Sequence, residues 1–174
     1  LDAGTIDGIW NGFTMNGRED DYEWSKPYMK NNQVFVVRGD SDINSEADLA
    51  GKNVEVQTDS SAEAALNDNS ELTSTFGSLT PVADYNTAFM DLESGAVDAI
   101  AMDDVVASYQ ITSRKADFKV LDDVIAAEEY GIGFKKGNTG LRDKVQATLE
   151  EMAADGTAAK ISEKWFGKDI TTIQ

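Results

Sequence analysis

Three short stretches carry side chains able to grip a small charged molecule. In the first, Thr58-Asp59-Ser60-Ser61-Ala62-Glu63 follows the strand-like run Val54-Glu55-Val56-Gln57 and leads straight into a helical pattern. A helix start presents backbone N–H groups that have no partner within the helix. The hydroxyls of Ser60 and Ser61 stand beside them, and together these donors make a site for an anion. Ser60 and Glu63 also have the spacing of a capping box, and the two uses are compatible. In the second stretch, Asp103-Asp104 closes the run Val97-Asp98-Ala99-Ile100-Ala101-Met102. Asp103 could cap the following helix, or it could offer a strand-tip carboxylate to a cation. Ligands of open α/β sheets collect beyond the carboxyl ends of strands. An anion site and a carboxylate on neighbouring strand ends suit a ligand that carries both charges. A free α-amino acid is the simplest.

The third stretch would form the facing wall. Ile6-Asp7-Gly8-Ile9-Trp10 alternates like a buried strand and delivers its tip into Asn11-Gly12-Phe13-Thr14, with Arg18 four residues beyond the threonine. Gly12 lets the backbone come close to a ligand, and Thr14 offers a hydroxyl. Arg18 offers a planar fork that grips a carboxylate through two parallel bonds. Asn11, Phe13, Asp59 and Asp104 flank these positions as secondary candidates. Trp10, Trp24 and Trp165 are read as core aromatics before ligand platforms.

Composition removes whole classes of chemistry. The 174 residues include no His and no Cys. Thiol nucleophiles, Ser-His-Asp triads, His-based zinc sites and disulfides are therefore excluded. No catalytic residue, metal or cofactor is expected. The formal net charge of −17 argues against a nucleic-acid partner, whose phosphates demand Lys and Arg patches. No apolar run approaches the ~18 residues of a membrane span. No charged-then-apolar leader precedes the first strand, so any export signal is expected to lie outside this sequence.

The elements that must position these groups alternate. Strand-like runs appear at 6–10, 33–38, 53–57, 96–102, 118–121 and 130–135. Helical patterns start at Ser60, span Tyr85 to Ser94 before Gly95, and span Asp104 to Arg114. A long helix carries Leu141, Val145, Leu149 and Met152, and Thr157 is placed as the cap of a last one. Alternating strands and helices imply an α/β architecture with largely parallel strands. Residues 31–129 form one complete lobe in this reading. Residues 1–30 and 130–174 cannot close a core alone and are assigned to an incomplete second lobe. Two chain crossings, near 29–34 and 126–131, would then make a hinge and the lobes a cleft.

With these residues assembled, the chain resembles the extracytoplasmic solute-binding proteins of polar amino-acid ABC importers, the family-3 group. "GTIDGIWNGFT" resembles the strand ending in the family's ligand loop, and "WSKPYMKNNQVFVVRGDS" its first hinge crossing. "DLAGKNVEVQTDSSAEAAL" is similar to the second lobe's first strand, anion loop and helix. "DLESGAVDAIAMDD" is similar to the strand ending in the aspartate that binds the ligand ammonium. "YGIGFKKGNTGLRDKVQATLEEMAADGTAAKISEKWFG" resembles the return crossing and the C-terminal helices.

The resemblance implies a type II periplasmic-binding-protein-like receptor, outside the cytoplasm in a periplasm or on the cell surface as a lipoprotein. Such a receptor hands a free polar amino acid to the permease subunits of an ABC importer. Carried over by position, Arg18, Ser60 and Ser61 would hold the α-carboxylate, with Thr14 lending a hydroxyl. Asp103 and the Gly12 carbonyl would hold the ammonium. Arg18 follows Thr14 by four residues where the family pattern usually has five, and Asp59 stands where glycine is common. The family also carries a strand–helix–strand–helix segment ahead of the point where this chain starts. Ile6, Ile9, Trp10, Phe13, Trp165 and Phe166 are therefore expected to leave apolar surface and an unpaired sheet edge, which would either recruit a second copy as a homodimer or stay poorly ordered. Two alternatives share the architecture: a dehydratase-like enzyme of the cyclohexadienyl type, using Asp103 or Asp104 as its acid, and a ligand-sensing domain.

Overall fold

The computed structural model describes residues 1–173. In chain order its elements are β1 (Gly8–Thr14), β2 (Glu23–Trp24), β3 (Met29–Arg38), a 3-10 turn (Glu46–Leu49), β4 (Asn53–Gln57), α1 (Ser61–Asp68), α2 (Ser70–Thr73) and β5 (Ser78–Val82). There follow α3 (Tyr85–Ser94), β6 (Ala99–Asp103), α4 (Asp104–Arg114), β7 (Phe118–Phe134), α5 (Thr139–Ala154) and α6 (Thr157–Phe166). The chain divides into two compact units, residues 32–127 and residues 1–31 with the stretch from 128 onward.

Strand alternation builds the core of the 32–127 unit. Its strands lie in the order β3-β6-β4-β5. Phe35 and Val37 of β3, Ala99 and Ala101 of β6 and Val54 and Val56 of β4 point to one face, where they meet Ala62 and Leu66 of α1. The alternate residues Val36, Ile100 and Met102 point to the other face and meet Phe89 and Leu92 of α3 and Ala107 of α4. A period of two thus feeds two apolar layers, one under each pair of helices. The β6–β4 and β4–β5 pairs are parallel, and β3 runs antiparallel to β6. Helix ends follow local chemistry. Asp84 caps α3 by accepting from the Thr87 amide, and Gly95 ends it with φ +80.

The other unit hangs on the last residues of β7. Both β1 and β2 pair antiparallel with it, so that Gly133 stands opposite Ile9 on one side and Trp24 on the other. Ile132 and Phe134 point toward Leu149 of α5, with Tyr28, Leu141, Val145 and Ile173 around them. Gly133 points away and is covered by aromatic rings: a Cβ there would sit 2.9 Å from the Phe13 ring.

Several expectations change. β1 begins at Gly8 and runs through Asn11–Thr14, so the residues read as a loop are strand, and Ile6 and Asp7 precede it. The run 6–10 read as buried is not, for Trp10 is 56% exposed and Ile6 50%. Trp165 is exposed too, while Ile9, Phe13 and Phe166 are half-buried. The runs at 118–121 and 130–135 join into one 17-residue strand. β5 was not anticipated. Gly156, in the left-handed conformation, caps α6, and Thr157 is its first residue.

Candidate functional site

In the 32–127 unit, β4 and β6 lie side by side and parallel, with Val56 opposite Ala101. Their carboxyl ends therefore emerge together, and both tips lead into helices. The Ser60 turn follows β4 and Asp103 ends β6, on strands about 4.8 Å apart.

The turn after β4 is tightly held. The Thr58 amide and hydroxyl both donate to the Val82 carbonyl, at 2.9 and 3.1 Å. Asp59 adopts φ +58, a left-handed conformation that a side chain other than glycine, Asn or Asp rarely takes. That geometry explains why glycine suits the position. Ser60 is the N-cap of α1, its Oγ accepting from the Glu63 amide at 3.1 Å. The Glu63 carboxylate reaches back one residue further than a capping box would, taking the Asp59 amide at 2.6 Å. The Ser60 amide donates to the Gln57 carbonyl at 3.3 Å, so it is not the free donor expected from the sequence. The Ser60 and Ser61 hydroxyls stand at the positive end of α1, which favours an anion there.

Asp103 occupies the N-cap position of α4 without using its side chain to cap it. Instead its Oδ1 accepts from Gln33 Nε2 at 2.9 Å. Gln33 stands directly opposite Asp103 in the antiparallel β3–β6 pair and is 1% exposed. The carboxylate is thus oriented by a buried amide, an arrangement suited to meeting a cation. Asp104 accepts from the Ser108 hydroxyl at 3.3 Å and opens the first turn of α4, a helix-stabilising acid.

The other unit holds the remaining candidates. Gly12 has φ +75, and a Cβ on it would lie 3.2 Å from the Tyr130 ring, so both conformation and packing demand glycine. The β1–β7 register shifts between Ile9 and Phe13, which re-aims this segment. The Trp10 and Tyr28 rings meet edge to face, 6.1 Å between centroids, and Gly12 and Trp10 lie beside the Tyr28 phenol. Burial pushes that phenol above its ordinary range, and the Gly12 backbone and the Trp10 side chain oppose the shift. Thr14 is buried. Arg18 lies over the Phe13 ring, 5.3 Å from its centroid, and its Nη1 reaches the Thr14 carbonyl at 3.4 Å. Phe13 packs in turn on Tyr22 and Trp24, and the Trp24 indole donates to the Arg18 carbonyl at 3.0 Å. A four-residue spacing therefore does bring the guanidinium beside Thr14. Arg18 forms no ion pair with a described carboxylate. Asn11 is exposed on β1.

Sequence reasoning missed Gln33, Tyr28 and the buried Asn31–Glu128 pair, in which the Asn31 amide donates to the Glu128 carboxylate. The signal for Gln33 was present: the last of three consecutive amides, Asn31-Asn32-Gln33, adjoins the apolar run Val34-Phe35-Val36-Val37.

Residues 1–168 match the model of the bacterial extracellular solute-binding proteins, family 3. The chain is 32% identical over 174 residues to the L-cystine-binding protein TcyJ of Escherichia coli (strain K12), covering 98% of this chain and 64% of that protein. It spans less than two thirds of the length of that relative. Among solved structures, an ABC uptake transporter substrate-binding protein from Streptococcus pneumoniae with bound histidine superposes with a TM-score of 0.90. That pair is 32% identical, and the match covers 99% of this chain and 72% of the other. An ancestral arginine-binding protein bound to glutamine gives a TM-score of 0.82 at 36% identity, covering 97% and 74%.

Proposed function

Because the chain belongs to the bacterial extracellular solute-binding proteins, family 3, we propose that it binds a free polar amino acid outside the cytoplasm and delivers it to an ABC importer. The observation that carries this reading is the pairing of two strand tips, β4 with its Ser60–Ser61 helix start and β6 with the Gln33-oriented Asp103. The helix start suits an α-carboxylate, and Asp103 suits an α-ammonium. Gly12, Thr14 and Arg18 are the ligand contacts proposed for the other unit. The two units are the lobes of the receptor in this reading, and the ABC permease is its membrane partner.

No catalytic role is assigned. Asp103 is aimed by the Gln33 amide, an orientation that suits a ligand ammonium. No helix among the described residues is long and apolar enough to cross a membrane, and the family is extracellular. A periplasmic or surface-tethered location fits both facts. Self-association through the unit that contains β1 is part of the proposal, supported by β1 lying at the end of the strand order and by the exposed Trp10.

Calorimetry against a panel of amino acids that includes cystine, histidine, arginine and glutamine tests the reading. Binding that needs both the α-ammonium and the α-carboxylate, and that Asp103→Asn abolishes and Arg18→Lys weakens, is the expected result. A folded chain that ignores the whole panel, and whose longer version ignores it too, would overturn it.

A further inference from the structure

Four arginines occur in the sequence, and three of them are matched by groups of the protein itself. Arg38 donates to the Leu92 and Val97 carbonyls and faces Asp40. Arg114 is bound to Gln110 and Asn86, and Arg142 pairs with Glu23 and Asp143. Arg18 differs. Its guanidinium makes a single long hydrogen bond among the described residues, to the Thr14 carbonyl at 3.4 Å. Glu19-Asp20-Asp21 follows it directly in the chain, fully exposed, yet none of these carboxylates pairs with it. A half-buried cation beside so much negative charge stays unneutralised because something else holds it.

That support is aromatic. The guanidinium carbon lies 5.3 Å from the centroid of the Phe13 ring. Phe13 packs against Tyr22 and Trp24, at 5.1 and 4.9 Å between centroids, and those two rings meet each other at 5.3 Å. Glycines of β7 make room for the cluster: a Cβ on Gly133 would meet both Phe13 and Trp24, and one on Gly131 would come 3.0 Å from Trp24. Trp24 is buried, and its carbonyl accepts from Arg142 Nη1 at 3.2 Å, which ties it to α5. The Trp24 indole donates to the Arg18 carbonyl at 3.0 Å, an oxygen that also accepts the Asp21 amide at 3.1 Å. The Arg18 amide donates in turn to the Met15 carbonyl at 2.9 Å. The main chain of Arg18 is therefore held on both sides, and its side chain is laid on a ring. A ring face attracts a cation without neutralising it, and it leaves no carboxylate for an incoming anion to displace.

We propose that Phe13 and Trp24 are positioning residues for Arg18, and that through it they set a preference for ligands bearing an α-carboxylate. The preference rests on the reading of Arg18 as a ligand contact; the positioning does not. Phe13 acts here through the guanidinium and not by touching the ligand. Trp24 fixes the backbone from which the side chain springs, and Phe13 fixes the side chain. A fork ordered in advance loses less freedom when it grips a carboxylate.

Calorimetry of the intact chain with histidine, arginine and glutamine, each beside its α-carboxamide, reads the carboxylate preference as a ratio of affinities. Phe13→Leu is expected to weaken binding of the amino acids about tenfold and to leave the carboxamides nearly unchanged, so that the ratio collapses. Trp24→Phe keeps a ring and removes the indole donor, and it lowers the ratio roughly threefold. Phe13→Tyr keeps the aromatic face and with it the ratio. A role in packing alone would weaken amino acids and carboxamides together. The Arg18 Nε–H resonance, assigned by its loss in Arg18→Lys, needs no ligand: the Phe13 ring current displaces it, and Phe13→Leu abolishes the displacement. A chain that ignores every compound yet shows this displacement would refute the carboxylate grip and keep the positioning. If one variant fails to fold, the other and the resonance of the unsubstituted protein decide. Equal losses for amino acids and carboxamides, or an Arg18 resonance with no ring-current displacement, would overturn the proposal.

Discussion

Gln33 Nε2 donates to Asp103 Oδ1 at 2.9 Å, across the antiparallel pair in which the two residues stand directly opposite each other. The amide lies in the apolar layer of its unit, while the carboxylate sits half-buried at the strand tip. One side chain is thus spent on aiming another. A charge-assisted bond of this kind fixes the carboxylate rotamer before any ligand arrives, so less orientational freedom is lost on binding.

Gln33→Leu keeps the volume and removes the donor. The expected result is a loss of about tenfold in affinity for the amino acid, or ~1.4 kcal/mol, with the melting temperature little changed. Calorimetry and thermal unfolding on the same sample check both halves. Unchanged affinity would mean that Asp103 is aimed by something else.

Asp59 holds φ +58 at the entrance to the Ser60 turn. Asp59→Gly relieves that conformation and removes a negative charge from the helix start where a carboxylate would bind. Stability is expected to rise by up to about 1 kcal/mol and ligand affinity to rise with it. Asp59→Val, a β-branched residue forced into the left-handed region, is expected to lower stability. Urea midpoints of the three proteins order the series, and a glycine variant weaker than the valine variant would refute the strain argument.

How much of this was visible in the residues differs from element to element, for physical reasons. α3 was legible to the residue because Asp84, the Ala88-Phe89-Leu92 face and Gly95 all state the same helix. The tips at Ser60 and Asp103 were legible because each is a polar break after an apolar strand. β5 was hidden by Pro81, which reads as a strand breaker. It is tolerated because β5 lies at the end of the strand order, where one side of the backbone needs no partner. β1 was misplaced because Asn11 and Gly12 carry turn chemistry, and the register shift there lets the strand continue past them. β7 was split in two because residues 122–129 are largely polar or small, and nothing in their period marks strand. The roles of Gln33 and Tyr28 depend on contacts between segments far apart in sequence, which no local pattern encodes.

Acid should weaken the fold through identifiable groups. Asp48 takes the Asn44 amide, then the Ser45 hydroxyl and amide, and these bonds hold its carboxyl below the ordinary aspartate range. Thr157 does the same for Asp155 and Thr171 for Asp169. A carboxyl depressed in the folded state contributes stability that is present above its ordinary value and is lost as pH falls through the depressed one. Asp48→Asn is expected to lower the denaturation midpoint at neutral pH and to leave a shallower decline in acid. Parallel curves for the two proteins would show that these bonds carry no linked stability.

Self-association through the unit containing β1 follows from an imbalance in burial. Its buried apolar cluster is Ile132, Phe134 and Leu149, whereas the 32–127 unit has two larger clusters. Ile6, Trp10, Ile161 and Trp165 stay exposed in the smaller-cored unit. β1 adds an open strand edge, which pairs readily with another chain. Opposing this is a formal net charge of −17 on every copy. Repulsion between exposed charges is screened by salt, with a Debye length of ~10 Å at 0.1 M, while apolar contact is not weakened by it. Association is therefore expected to increase from low to moderate ionic strength and to fall in Ile6→Lys, which breaks the apolar surface without touching a described hydrogen bond. Sedimentation velocity across protein and salt concentration measures this. A monomer at every condition, identical for the substituted chain, would mean that the β1 edge is closed to a second copy.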